Sequence, residues 1–203
     1  MGFFDSLKRA AESTIKREAS TAVNKAVTNA VNSVGKGKNS TERFTFENLP
    51  KNINEMQSLP EAKLDSPFKT AALTMLALCN FGENQEETFA MLDFLKGPEN
   101  VSTYEKGFIK ERLDGKTYKP FSFFDGATPE NGYTPNKPYV IAVSENPYSF
   151  DNENWATLWV KSSGGDNPRQ IKLRKKPSTG EWFLNDIQCL SDIRIPVSED
   201  PWA

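Results

Sequence analysis

Histidine is absent from the 203 residues of this chain, which excludes the imidazole-based triads, dyads and zinc sites of many hydrolases and metalloenzymes. Cysteine is nearly absent. Cys79 lies in an apolar helical pattern and Cys189 follows a strand pattern. Neither has a second cysteine at metal-ligand spacing, so both read as buried free thiols, and no metal or other cofactor is implied. Long apolar runs are missing too: nothing approaches the roughly 20 residues that a spanning helix needs. The first residues also lack the apolar core and small-residue cleavage site of a secretory signal. The expectation is a cytoplasmic protein without a transmembrane segment, with the inner face of the membrane as a second station.

What is present is polar and unevenly charged. Hydrophobic residues make up 37% and mean hydropathy is -0.60, so an ordinary core shares the chain with a large polar surface. The length fits one domain plus an appendage. Residues 1–40 carry seven Lys and Arg against Asp5, Glu12 and Glu18, a net +4, while the remainder holds 18 basic and 24 acidic residues, a net -6. A basic tail leads an acidic body.

Within that tail Phe3, Phe4, Leu7, Ala11, Ile15, Ala19, Val23, Val27 and Val31 recur every three or four residues, the spacing of one long amphipathic helix over 1–34. Phe4, Ile15 and Ala26 are eleven apart, as are Val23 and Val34, a period that suits a straight helix on a flat surface or a right-handed coiled coil. The stripe is bulky only at its start, so by itself it is too weakly apolar to fold in water. It requires a partner. Lys8, Arg9, Lys16, Arg17 and Lys25 flank the stripe, and each adds about 1 kcal/mol of attraction to an anionic lipid surface. A protein partner helix, self-association and docking on the chain's own body are the alternatives. Gly2 to Ser6 also fits the short N-myristoylation pattern.

Gly35 and Gly37 stop the helix and open a polar linker over 35–41, so the body is expected over 42–203. Phe44 and Phe46 alternate as a short strand, and Asn52 with Glu55 reads as the cap of a short helix. Ser66 and Pro67 start a helix that is apolar on nearly every side through Cys79, and that helix must be covered all round. Asn84 caps the next, with Phe89, Met91, Leu92 and Leu95 as its buried set and Gly97 as its stop. Ser102 and Glu105 form a capping box for a third, which carries Phe108, Ile109 and Leu113. Four prolines and five aromatic residues over 118–138 then read as an ordered loop.

Beyond 139 the period changes to two. Leu158 and Val160, and Ile171 and Leu173, alternate with polar residues as strands with one buried face, Lys172 and Arg174 pointing outward. Pro177 and Gly180 mark the turn into a strand from Glu181 to Ile187, with Trp182 and Leu184 expected to oppose Ile171 and Leu173. The fold class is α+β: about three helices on a mostly antiparallel sheet of four to five strands, preceded by the amphipathic helix. The residues Asn146 to Tyr148, Ser162 to Gly164, Ile171 to Arg174, Gly180 to Trp182 and Ile193 to Pro196, with a Glu-Asp-Pro-Trp-Ala run from Glu199, resemble an uncharacterised bacterial domain-of-unknown-function family. The resemblance reaches back through Pro67 to Ala72 and Phe94 to Pro98, covering most of 42–203. It implies a bacterial, intracellular protein and carries no known activity.

The candidate sites are modest. Asp151, Glu153, Asp166 and Asp186 supply carboxylates that no spacing brings together, and a solvated surface is their plainer reading. The Gly164 and Gly165 loop offers backbone N–H groups for an anion but lacks the lysine and following helix of a phosphate loop. Lys161, Arg169, Lys172 and Arg174, with Lys175 and Lys176, gather beside Trp159 as candidate anion contacts. Nucleic acid is disfavoured by the acidic body, and outward lysines also guard strands against aggregation. Tyr133, Tyr139, Tyr148, Phe150 and Trp155 are either a ligand pocket or core. The function expected is a non-enzymatic interaction module. A carboxylate-dependent enzyme with a pocket under 118–138, and nucleic-acid binding through 161–176, are the alternatives.

Overall fold

The computed structural model describes residues 38–203. The helix expected over 1–34, with Phe3, Phe4, Leu7, Lys8, Arg9, Ile15, Lys16, Arg17, Val23 and Val27, lies outside them. The body is α+β. Strand β1 (Ser40–Phe46) precedes helices α1 (Ile53–Gln57), α2 (Pro67–Cys79), α3 (Gln85–Lys96) and α4 (Thr103–Leu113), and strands β2 (Tyr139–Glu145), β3 (Trp155–Val160), β4 (Arg169–Lys175) and β5 (Trp182–Gln188) follow. The five strands form one sheet in the order β1-β2-β3-β4-β5, every neighbouring pair antiparallel.

Local chemistry sets the helix ends. Asn52 Oδ1 accepts from Glu55 N at 2.9 Å, Ser66 Oγ from Phe68 N at 3.2 Å, and Asn84 Oδ1 from Glu87 N at 3.0 Å, each satisfying an amide that has no partner within the helix. The capping box of α4 is complete, with Ser102 N donating to Glu105 Oε2 at 2.8 Å. Helix α3 stops where Gly97 turns to φ 68°, a value β-branched and bulky residues resist.

Helix α2 is the middle of the molecule. Twelve of its residues are buried, and it touches all five strands and α3. Thr70 and Thr74, polar residues with no solvent exposure, donate to Trp182 O at 2.7 Å and Thr70 O at 2.8 Å, which removes the cost of burying free hydroxyls. Phe44, Ile141, Val143, Leu158, Ile171 and Leu173 line the sheet face beneath it.

The structure corrects the register of the last hairpin. Leu173 pairs with Leu184 as expected, and Trp182 then pairs with Lys175, as regular antiparallel register from Leu184 requires; Ile171 pairs with Ile187, because the ladder shifts between Lys172 and Leu173. A bulge places one more residue on β5 than on β4, so strict alternation fails across it. Trp182 is half-buried, its ring 6.1 Å from that of Phe150. Strand β1 begins at Ser40, inside the stretch read as linker, where the Ser40 hydroxyl donates to Glu145 Oε1 at 2.6 Å.

The 118–138 segment is built into the sheet. Strands β2 and β3 pair only at Val143 with Val160 and Ser144 with Trp159, and Phe124 bridges to β2 at Ile141, with Asp125 N donating to Val140 O at 2.9 Å. Leu173 is fully buried and Lys172 is not. Leu173→Ala is therefore expected to cost about 2 to 5 kcal/mol and Lys172→Ala under about 0.5 kcal/mol, measured as shifts in urea midpoint; equal shifts at the two positions would reject the assignment of faces.

Candidate functional site

The basic residues of the hairpin do not share one place. Lys161 is exposed beyond the end of β3. Arg169 has the parity of Ile171 and Leu173, and its guanidinium donates to the carbonyls of Ser191 at 3.1 Å, Asn167 at 3.2 Å and Asp192 at 2.7 Å. Arg169 thus clamps the segment after β5. Lys172 pairs with Asp186 in register. Arg174 lies 5.1 Å over the Trp155 ring at the far end of β4.

At that end the hairpin turn meets the stop of α3. Lys96, Pro98, Glu99, Arg174, Lys175, Lys176, Pro177, Phe183, Leu184 and Asn185 line a cleft of about 200 Å³ there. Phe183 forms part of its floor and explains the glycine at 97: a Cβ there would stand 2.3 Å from the Phe183 ring. Lys96 is largely committed, because its Nζ pairs with Glu105. Arg174, Lys175 and Lys176 take no part in the four ion pairs of the described residues, although Lys175 Nζ lies 5.8 Å over the Trp182 ring. A cleft with an apolar floor, three such cations and one carboxylate favours an anionic group attached to an apolar body.

Glu105 anchors the wall beside it. Burial pushes its carboxyl up, but the hydrogen bonds from Lys96 and Ser102 outweigh that and hold it below its ordinary value of 4.5. A carboxylate with a depressed folded pKa stabilises above its unfolded pKa, and that contribution disappears as pH falls through the folded value. Glu105→Gln is expected to lower stability by about 0.2 to 1 kcal/mol at pH 7, and denaturation midpoints of the two proteins should converge as pH falls through the folded-state pKa; a gap unchanged by pH would rule out the ionic origin.

A second cleft, of about 390 Å³, lies under the 118–138 segment and is lined by Thr128, Pro129, Glu130, Ser163, Arg194, Ile195, Val197 and Asp200. Two carboxylates, Glu130 and Asp200, are among its lining residues. Glu130 is held below its ordinary value by hydrogen bonds from its own backbone and from Thr128, the wrong direction for an acid at neutral pH. Glu42 is pushed up by burial and by Glu145, but it lines neither cleft. Asp151, Glu153 and Asp166 are exposed and Asp186 is half-buried; Asp166 faces Arg194 at 3.5 Å.

The aromatic group does not form one pocket. Tyr133 is buried and stacks on Tyr118 at 5.3 Å, its hydroxyl donating to Arg194 O at 2.7 Å. Tyr139 packs on Phe124 and Phe150 on Trp182, whereas Tyr148 is 74% and Trp155 38% exposed. Gly164 is a close-approach residue, since a Cβ on it would stand 2.1 Å from the Tyr133 hydroxyl. The glycine loop is thus a packed connection between β3 and β4.

A buried cation escaped sequence reasoning. Lys119 Nζ donates to Leu190 O at 3.0 Å, and burial, followed by Lys116 and Arg112, pushes its pKa down. Both cysteines are buried, with Cys189 Sγ 3.7 Å from Met75 Sδ. Burial drives the Cys79 thiol well above its ordinary value and Cys189 up to about 12. A thiol reagent at pH 8 is expected to label neither until the protein is unfolded; prompt labelling of either in the native protein would contradict this packing.

Residues 48–197 match the family model described as Domain of unknown function (DUF6935), well over half of the 203-residue chain. The chain belongs to the DUF6935 family. No activity is known for it. The match begins after β1 and takes in helices α1 to α4, strands β2 to β5 and both clefts except Asp200. No curated protein and no solved structure matches the chain. Among the described residues no helix is long and apolar enough to cross a membrane.

Proposed function

We propose that this chain is a non-enzymatic interaction module, whose DUF6935 domain holds an acidic, partly apolar segment in the hairpin cleft. The observation that carries this reading is the pairing of the Phe183 and Leu184 floor with Arg174, Lys175 and Lys176 around about 200 Å³. That volume is below the roughly 300 to 1,000 Å³ of small-molecule sites and suits one or two side chains of a peptide. Backbone turns and helix ends fix the walls, so little ordering is required on binding. Residues 1–34, in the same proposal, attach the module to an anionic membrane surface or to a partner helix; that part is supported by their eleven-residue spacing and flanking cations.

The cleft is tested with anilinonaphthalene sulfonate, an anionic aromatic fluorophore. It should bind the full chain, at least tenfold more weakly in Lys175→Glu/Lys176→Glu and more weakly as salt is raised. Equal titration curves for the two proteins would dismiss the cleft as the site. For the tail, a peptide of residues 1–34 should gain helical circular dichroism on anionic vesicles but not on neutral ones, and Phe4→Asp should weaken the gain. A gain that instead follows peptide concentration identifies a helical partner, and no gain in any condition removes both.

A further inference from the structure

We infer that the hairpin cleft receives the segment Glu199 to Trp202 of a second copy of this chain, joining copies head to tail. The inference rests on the reading of the cleft as a site for an acidic, partly apolar segment. Trp202 is 93% exposed, more than Tyr104 at 82%, Tyr148 at 74% and the other exposed large apolar residues described. Such a side chain is an anchor when it finds a pocket. It follows Glu199, Asp200 and Pro201, so the anchor carries two carboxylates beside it. The cleft offers the complement: an apolar floor and the cations Arg174, Lys175 and Lys176.

The segment is also held in a defined shape. Asp200 N donates to Val197 O at 3.2 Å, and Trp202 N donates to Asp200 Oδ1 at 2.9 Å, which turns the chain just before the indole. Pro201 removes further backbone freedom. Part of the entropy that a loose peptide would lose on binding is already lost.

The occupant must come from another molecule. Asp200 lines the cleft with Ser163, and Ser163 lies in the connection that enters β4 at Arg169, whereas Lys175 and the hairpin cleft lie at the other end of that strand. Six steps of strand span about 20 Å, and the two residues from Asp200 to Trp202 reach about 7 Å. A donor at one end of the domain and an acceptor at the other make a heterologous contact, which closes into a ring or runs on as a filament.

The test is sedimentation velocity of the full chain from about 1 μM to about 1 mM, with circular dichroism confirming that every variant is folded. The wild-type mean mass is expected to rise with concentration and to fall with added salt. Trp202→Ala, with an intact cleft, and Lys175→Glu/Lys176→Glu, with an intact segment, should each weaken that association at least tenfold. An equimolar mixture of the two variants should recover one-to-one dimers and nothing larger, because only one donor–acceptor pair survives in it. Association of both variants as strong as that of wild type would overturn the inference and assign self-association to other residues, 1–34 included, while leaving the fluorophore result intact. A wild type that stays monomeric over the whole range, or a mixture that recovers no dimer, would equally overturn it.

Discussion

The burial of α2 on every side is the constraint on which the rest of the domain depends. A helix of Phe, Ala, Leu, Met and Cys with only Lys69 and two satisfied threonines among its polar residues cannot present a face to water, so it needs more than one layer around it. The sheet supplies one side. Helix α3, the short turn Pro120–Phe123 and the turn preceding α2 supply the others, and Leu64 closes the corner by accepting from Trp182 N at 2.7 Å. Even the sulfur of Cys189 belongs to this packing, through its contact with Met75. The polar surface is what remains once α2 has been covered.

Most elements were legible because their signals are local. Ser66 before Pro67, Asn84 before two glutamates, and Ser102 with Glu105 each declare a helix start through side-chain chemistry that acts within three residues. The buried set of α3 followed from periodicity and is Phe89, Met91, Leu92 and Leu95 with Thr88. What failed to follow was tertiary. The β5 bulge changes the partner of Ile171, and no residue pattern in the strand announces it. Arg169 is a different case, since the alternation that turned Ile171 and Leu173 inward already turned Arg169 away from Lys172.

The hairpin cleft shows why a site can be invisible when its parts are readable. The stop of α3 at Gly97 and the turn with Pro177 and Gly180 were each evident from sequence. Their meeting was not, because it depends on how α3 lies along β5. Phe183 records that meeting in one contact, its ring filling the space that a side chain at Gly97 would need. In the same way the glycine loop was legible as a connection, while the reason for Gly164 is the hydroxyl of Tyr133, distant in sequence.

Strand β1 stands apart from its neighbours in one respect. The chain leaves it at Phe46 and returns to the strand beside it only at Tyr139, whereas β2 to β5 follow one another through short connections. Closing the β1–β2 pair therefore carries a loop entropy that the other pairs are spared, and its contacts are among the most non-local in the domain. It is also an edge, held on one side only. Phe44 and Phe46 are its two holds on the core, and residues 1–39 lead directly into its first pair, Ser40 with Glu145. Tension that pulls the chain ahead of Ser40 away from β2, across the strands, consequently opens the ladder one pair at a time from Ser40 and Glu145 toward Phe44 and Phe46.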